Sequence, residues 1–600
     1  MVITEPNTAK TMPADLVRGV LLLLSAAIAA AGVVLFYRSV APDGFSQLDQ
    51  FRTVLVLISV FWLAWGTSCG LLGLFHKPRE RKPNTGNTVQ HGKTVVLVPV
   101  YNEDPVATFS RIAAMNASLA ELGAEAHFHF AVLSDTKSPE IAAQEAFWFQ
   151  RLIWEQAGAG RMFYRLRSDN IGKKAGNIED FVRRSGAAYE YAVILDADSL
   201  IEGSALVEMV RRMDADPQLG LLQTLPQVVH AQSLFGRVMQ FAASYYSPVF
   251  AGGLQLIQGQ EGPFWGHNAI VRVRAFAACC GLPVLSGKAP SGGHILSHDY
   301  VEAALLSRAG WTVRLDTDIA GSYEEGPENL IEFAKRDRRW CQGNLQHRRI
   351  LLAPGLRWWN RFNFLQGIMA YMTSPIWFAF LAASLLTAAW PSARFVSSYA
   401  AADANLSGWV LVFAIFTLLI LPKLLIVLHG VVTGTNKRFG GTGQVLLSVL
   451  LEIVFSSLAA PIMLMFQCRS VLQVLFGTDG GWPSTCRNQS QLSLRQAWTA
   501  SSWIVLVGLS ALLLMAMAAP ASLWWIVPAV VPMLLAPVLI AISSHSGVTA
   551  ERGFFATSAE LQPSPVMLER ERVLRRWTIG VGTEFTPLTM ALELQPRFQG

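Results

Sequence analysis

Tyr191 to Ser199, YAVILDADS, is an apolar β-run that stops at two aspartates one residue apart, Asp196 and Asp198. A strand apolar on both faces belongs inside a covered α/β sheet, and the carboxyl edge of such a strand is where open sheets place ligands. Two carboxylates there outline a divalent-metal and diphosphate site. Oxygen donors suit Mg²⁺ or Mn²⁺, which keep waters and share the phosphates of a substrate with one or two carboxylates. Alone, the same pattern also describes a solvated turn, so its meaning rests on the surrounding chain.

Outward from this run the chain is strongly apolar. It has 600 residues, 52% of them hydrophobic, which is too long for one core and too apolar for a wholly soluble protein. Gly19 to Tyr37, between Arg18 and Arg38, and Thr53 to Phe75, between Arg52 and Lys77, carry no charged residue, and each is long enough to span a bilayer. The basic run Lys77, Arg79, Arg81 and Lys82 follows and by the positive-inside rule puts what comes next in the cytoplasm. The first span lacks a small-residue cleavage site and reads as retained. Further spans are expected at Phe362 to Ala393, at Leu406 to Leu428 with Lys423 near its cytoplasmic end, and twice within Gln496 to Ala550, broken near Ala519-Pro520.

Val445 to Phe476 contains Glu452, Pro461, Gln467 and Arg469, and fits a span, a re-entrant hairpin or helices at the cytoplasmic interface; the last is favoured. Six spans, or eight if this segment crosses twice, leave both termini in the cytoplasm, in keeping with the basic tail Leu568 to Trp577. The expected organisation is a tail over 1–18, a transmembrane pair over 19–76, a cytosolic domain over 92–350, transmembrane and interfacial helices over 351–545, and a cytosolic tail over 546–600. Cys69, Cys279, Cys280, Cys341, Cys468 and Cys486 form no zinc or disulfide spacing, so reduced thiols are expected. The net charge of +6 is partly juxtamembrane, faces anionic lipid, and gives no indication of nucleic acid.

The middle region alternates strand and helix patterns. KTVVLVPVYNEDP presents Pro99, Tyr101, Glu103 and Asp104 in a turn after a buried-type strand, and the strand Phe128 to Leu133 ends at Ser134-Asp135-Thr136. Each also suits turn chemistry or a helix cap. Ile171 to Asn177, IGKKAGN, offers glycines that let backbone approach a ligand and a lysine, Lys173 or Lys174, for a phosphate; a flexible surface loop fits it equally. His298-Asp299 precedes the amphipathic run YVEAALLSRAG, where Asp299 suits a helix N-cap with a pKa lowered by the helix dipole.

The ordered set VPVYNE, SDT, KAGN, DAD, HD at His298-Asp299 and RDRRW at Arg336 to Trp340 resembles the processive inverting glycosyltransferases of family 2. The resemblance implies an α-helical integral membrane protein with a cytosolic α/β domain of GT-A type, a Rossmann-like mixed sheet. It implies that Pro99, Tyr101, Glu103, Asp135, Lys174, Asp196 and Arg339 bind a nucleotide sugar, Asp135 at the uracil and Lys174 at the diphosphate. Asp198, supported by Asp196, takes the metal, Mg²⁺ or Mn²⁺. Asp299 takes the place of the catalytic base. Trp340 stacks under the acceptor sugar, and Phe264, Trp265, Gly266 and His267 line the acceptor end. FGTDGGWP, with Thr478, Asp479 and Trp482, resembles a gating loop; an interfacial turn explains the same residues.

The sequence departs from the standard cellulose synthase pattern in two places, with Ser297-His298-Asp299 for Thr-Glu-Asp and Arg336 for the glutamine before Arg-Trp. LSHDYVEAALLSRAGW, RDRRWCQGNLQH and GTDGGW resemble instead the branch that builds osmoregulated periplasmic glucans in Gram-negative bacteria. That resemblance implies UDP-glucose as donor, a growing β-1,2-glucan as acceptor, the bacterial inner membrane, and acyl carrier protein and a periplasmic glucan-processing protein as partners, for which the chain carries no motif. A cellulose- or chitin-type synthase is the alternative within the class. A transporter with a nucleotide-sensing domain is the alternative outside it, and the near absence of charge inside the spans counts against it. A dolichol-type transferase usually lacks the Arg-Trp pair. Trp358, Trp359 and Trp498 are expected as interfacial anchors.

Overall fold

A computed structural model describes residues 14–76, 92–389, 398–478, 491–546 and 553–584. The basic run Lys77 to Lys82, Cys486, Asp479 and Trp482 lie outside them. The chain enters as two long helices, α1 (Ala14–Val40) and α2 (Gln47–Gly73), that pack on each other. Ser46 closes a capping box with Asp49 at the start of α2. An α/β domain follows with strands β1 (Thr94–Val100), β2 (Phe128–Ser134), β3 (Met162–Leu166), β4 (Tyr191–Ile194), β5 (Leu200–Ile201), β6 (Leu219–Thr224), β7 (Gln227–Val229), β8 (Ala269–Arg272), β9 (Thr312–Asp316) and β10 (Ser322–Glu325). Its helices are α3 (Pro105–Ala120), α4 (Pro139–Glu155), α5 (Lys173–Ser185), α6 (Gly203–Ala215), α7 (Leu234–Gln258), α8 (Val273–Cys279), α9 (His298–Arg308) and α10 (Leu330–Gln346).

Seven strands form one sheet in the order β3-β2-β1-β4-β8-β6-β9. β8 runs antiparallel to both of its neighbours, β4 and β6, and the other pairings are parallel. The order reverses at β1, and the crevice at such a switch point, outside the carboxyl ends of the strands, is where α/β sheets bind ligands. A smaller sheet, β5-β10-β7, stands beside it. Every residue of β4 is buried, as its unbroken apolar run requires, with α3 and α6 contributing Phe109, Ile112 and Met209 to one face and α5 contributing Ile178 and Phe181 to the other. Each such side chain stabilises the fold by roughly 1.5–3 kcal/mol when taken from water.

Beyond the domain come α11 (Trp358–Ala389), α12 (Ser398–Thr433), α13 (Thr442–Leu475), α14 (Leu494–Ala518), the short α15 (Val527–Leu534) and α16 (Ala536–Ser543), then α17 (Ser558–Leu561) and α18 (Pro565–Glu584). Among the described residues, six helices are long and apolar enough to cross a membrane, namely α1, α2, α11, α12, α13 and α14. The chain is an α-helical integral membrane protein with a GT-A-type α/β domain.

The segment over 445–476 is therefore one continuous helix, with no hairpin in it, about 51 Å long. Residues of the α/β domain bond to it from Glu452 to Gln473. Tyr246 of α7 donates to Glu452 (3.1 Å), Gln467 donates to Asp337 of α10 (3.1 Å), and Arg338 of α10 donates to Gln473 in the last turn (3.0 Å). Just before α13, Asn436 accepts from Tyr245 of α7 (2.7 Å), so bonds to the α/β domain are found ahead of the helix as well as in its last turn. α15 and α16, interrupted around Leu535 between prolines, pack back along α14 and return the chain to the domain, where Leu234 donates to the carbonyl of His545 (3.1 Å). At the opposite end of the bundle Trp409 of α12 packs against Trp525, with ring centroids 4.7 Å apart.

One expected anchor has another role. Trp359 is 1% exposed, enclosed by Trp65, Phe362 and the guanidinium of Arg18, 4.2 Å from its ring, because α2 and α11 meet there. Trp358 and Trp498 are exposed. The five cysteines among the described residues are all free thiols.

Candidate active site

β4 ends in a turn that its own residues close. Asp196 accepts at its carbonyl from the Ser199 amide (3.1 Å), and the Asp196 amide donates to Ser199 Oγ (3.0 Å). The turn holds Asp196 at the mouth of a cavity of about 870 Å³ that the other strand ends also reach. Pro99, Tyr101 and Glu103 after β1, Asp135 after β2, Lys174 on α5, Asp196 and Asp198 after β4, Trp265, Gly266 and His267 before β8, Asp299 on α9 and Arg339 and Trp340 on α10 all line it. Residues 240 positions apart in the chain are gathered at one sheet edge. Phe264 is the exception: it is wholly buried in the sheet core beside Ala269 and Val271, because the chain must dive under the sheet to begin β8. Of the expected gating loop the described residues include Phe476, Gly477 and Thr478, and the Thr478 carbonyl accepts from Arg338 (2.7 Å).

The IGKKAGN segment is half loop and half helix. Gly172 adopts φ 72°, a left-handed conformation that turns the chain into α5. A Cβ on Gly176 would fall 2.0 Å from the carbonyl oxygen of Ile171, so this glycine serves the loop's packing on its own helix, where the sequence suggested approach to a ligand. The tight entry presents Lys174, whose Nζ pairs with Asp196 and donates to the carbonyl of Gly266 (2.8 Å). Against the desolvation of the cavity walls, Lys174, His267 and Arg336 hold the Asp196 carboxyl well below the usual range.

Asp299 sits in the first turn of α9; the N-cap is Ser297, and no side chain caps the helix. The expected lowering of its pKa is reversed. Burial pushes the Asp299 carboxyl up, against the opposing charge of His298, since enclosure costs the ionised form more than the helix start returns. Gly266, at φ 89°, lets the carboxylate lie close; a Cβ there would be 3.3 Å from Asp299 Oδ2. Behind it His347 Nε2 donates to the carbonyl of Ser297 (3.0 Å), and burial brings that histidine down to about 4, so it serves as a neutral strut. His298 faces Glu302 at 3.1 Å.

Trp340 is 44% exposed, with the guanidinium of Arg336 4.4 Å from its ring centroid. An aromatic face open to the cavity suits the apolar CH face of a sugar. Two functional candidates carried no sequence signal. Arg167 grips both oxygens of Asp135 at 2.8 Å and donates to the carbonyl of Ile171 (3.1 Å). Glu324 on β10 lines the cavity 3.5 Å from His267 Nε2, with its carboxyl raised by burial. Neither lies in a motif; only the fold brings them to the edge.

The family model Glycosyl transferase family group 2 matches residues 191–425. The Glucans biosynthesis glucosyltransferase H of Cereibacter sphaeroides is 52% identical over 96% of this chain and 99% of its own length. The chain belongs to the glucans biosynthesis glucosyltransferase H family. The protein of that name from Caulobacter vibrioides is 36% identical over 93% of this chain and 87% of its own. Among solved structures, a mannosyltransferase from Pyrobaculum calidifontis in complex with GDP-Man and Mn²⁺ is similar over 72% of this chain and all of its own, with TM-score 0.46 and 14% identity. Membership in this glucosyltransferase family makes the cavity the candidate site of glycosyl transfer.

Proposed function

We propose that this member of the glucosyltransferase H family uses UDP-glucose on the cytoplasmic face of the bacterial inner membrane to extend a β-1,2-glucan, and moves the chain across the membrane. The supporting observation is the single cavity, which joins the nucleotide end at Asp135 to the acceptor end at Trp340 and continues to Gly367, Ala370 and Tyr371 of the apolar helix α11. A product formed there stands at the foot of the helical bundle. Six crossings, by α1, α2, α11, α12, α14 and the α15–α16 pair, with α13 along the interface, keep both ends of the chain on the side of the α/β domain. The Lys77 to Lys82 run assigns that side to the cytoplasm.

Transfer is a single displacement. The acceptor hydroxyl oxygen attacks the anomeric carbon, the carbon–oxygen bond to the diphosphate breaks, the proton passes to the carboxylate of Asp299, and UDP departs with the bonding pair. Lys174 and Arg339 supply fixed positive charge where the diphosphate gains negative charge. Trp340 holds the acceptor sugar by its apolar face, and Asp135, steadied by Arg167, orients the base. Among the described residues no cluster of three or more His, Cys, Asp or Glu could enclose a metal. Asp196 and Asp198 alone fit a cation that completes its shell with phosphate oxygens and water, and Mg²⁺ or Mn²⁺ so held would neutralise leaving-group charge.

Inverted membranes supplied with labelled UDP-glucose and Mg²⁺ test the reading. The wild type should make polymer, and Asp299→Asn should make at least about a hundredfold less while still binding UDP. Polymer from a different UDP-sugar alone would replace the donor, and unchanged synthesis by the variant would remove Asp299 as base.

A further inference from the structure

The C-terminal helix α18 has no part in the transfer just described, yet it docks on the α/β domain beside the cavity. Val566, Met567, Val573 and Trp577 are buried in the same core as Phe109 and Ile112 of α3. Trp577 stacks on Trp148 of α4 at 5.1 Å and donates to both oxygens of Glu155 at 3.0 Å, and Arg576 pairs with the same carboxylate. At its other end the helix reaches the site. Arg570, 9% exposed, donates to Glu325 Oε1 (3.1 Å); the same oxygen accepts from Arg111 (2.6 Å); and Arg111 donates through its other nitrogen to the buried carbonyl of Ala197 (3.0 Å). Ala197 is the residue between Asp196 and Asp198. Glu325 itself lines the cavity.

We propose that α18 positions the two aspartates: Arg570 fixes Glu325, Glu325 fixes Arg111, and Arg111 holds the turn that sets the separation of Asp196 and Asp198 for a cation with a nucleoside diphosphate. The inference rests on the proposed role of those aspartates. Its physical content is that one carboxylate shared by two buried guanidiniums is rigid, and that Arg111, bonded to a backbone carbonyl, transmits that rigidity to the loop. Arg111 and Arg570 are positioning residues, since neither need touch the substrate. Groups that orient metal ligands from behind commonly change affinity about tenfold or more when removed.

The test is calorimetry of UDP binding to the full-length protein in nanodiscs, with and without Mn²⁺. Arg570→Met should weaken the Mn²⁺-supported component about tenfold while leaving Mn²⁺-free UDP binding and the melting temperature near wild type, and Arg570→Lys should recover most of it. Arg111→Met should reproduce the loss, and the double variant should be no worse than Arg111→Met alone, as members of one chain of contacts require. Arg576→Ala, which loosens the same helix at its far anchor, should leave the Mn²⁺ response intact. An unchanged Arg570→Met, equal weakening with and without Mn²⁺, additive losses in the double variant, or the same effect from Arg576→Ala would each overturn the positioning role. Asp198→Asn separates the two readings: if that variant and the wild type respond alike to Mn²⁺, the aspartates do not hold the cation, whereas a lost response there beside an unaffected Arg570→Met defeats only the inference about α18.

Discussion

At the scale of single residues, the proposed transfer step makes the carboxylate of Asp299 the group that sets pH dependence. As the proposed base it must be ionised, and burial raises its pKa, so activity should be lost as pH falls through a value above that of an exposed aspartate near 3.9. The charge of His298 opposes that rise, so His298→Asn should move the acid limb of kcat/KM to still higher pH; a limb that stays in place would remove histidine from the balance. Arg167 gives a second prediction. Arg167→Met should raise the KM for UDP-glucose about tenfold, with kcat nearly unchanged, because a charged pair of hydrogen bonds that orients Asp135 is lost. An equal fall in kcat would place Arg167 in the transfer step. Asp135 was legible because it ends a strand, whereas its partner is one arginine 32 positions away that only tertiary contact distinguishes from any other.

Elements show why the remainder was hidden. The strands and their acidic ends follow from apolar runs that stop at turn residues, and those ends are the cavity. The glycines of Ile171 to Asn177 also stood out, yet their use was misread, since backbone meeting backbone and backbone meeting ligand leave the same residue in a sequence. Gly176→Ala decides between them. Its Cβ would collide with the Ile171 carbonyl, so the first turn of α5 must shift and carry Lys174 with it. The variant should lose about 2 kcal/mol of stability in denaturant unfolding of the purified protein, as overpacked sites do, and UDP binding should weaken in the same preparation. Unaltered stability would mean that the loop has room. Phe264 and Trp359 illustrate the same limit, for an aromatic residue beside a strand or a membrane can face the core as readily as the ligand or lipid, and only the packing partners decide.

For the whole molecule, composition distinguished apolar helices from an α/β domain and favoured the cytoplasmic interface for the segment of α13, while a span and a re-entrant hairpin fitted the same residues. Its length and hydropathy match those of a span, whereas its contacts with Tyr246, Asp337 and Arg338 support the proposed route along the interface, because a helix bonded to one domain from Glu452 to Gln473 has little length left with which to cross. A continuous 34-residue helix lying flat would seat the α/β domain against the bilayer over about 51 Å, which steadies the cavity beneath the foot of α11. Single cysteines in a background freed of the native thiols test this route. Labels at Arg438, before α13, and at Gln491, after it, should react with an impermeant maleimide in inside-out vesicles alone, and labels at Phe45 and Ala521 in right-side-out vesicles alone. Were Arg438 and Gln491 to react from opposite faces, α13 would cross the membrane, α15 and α16 could no longer be paired into a return without stranding α18 on the far side, and the docking of α18 on the α/β domain would have to be abandoned with it.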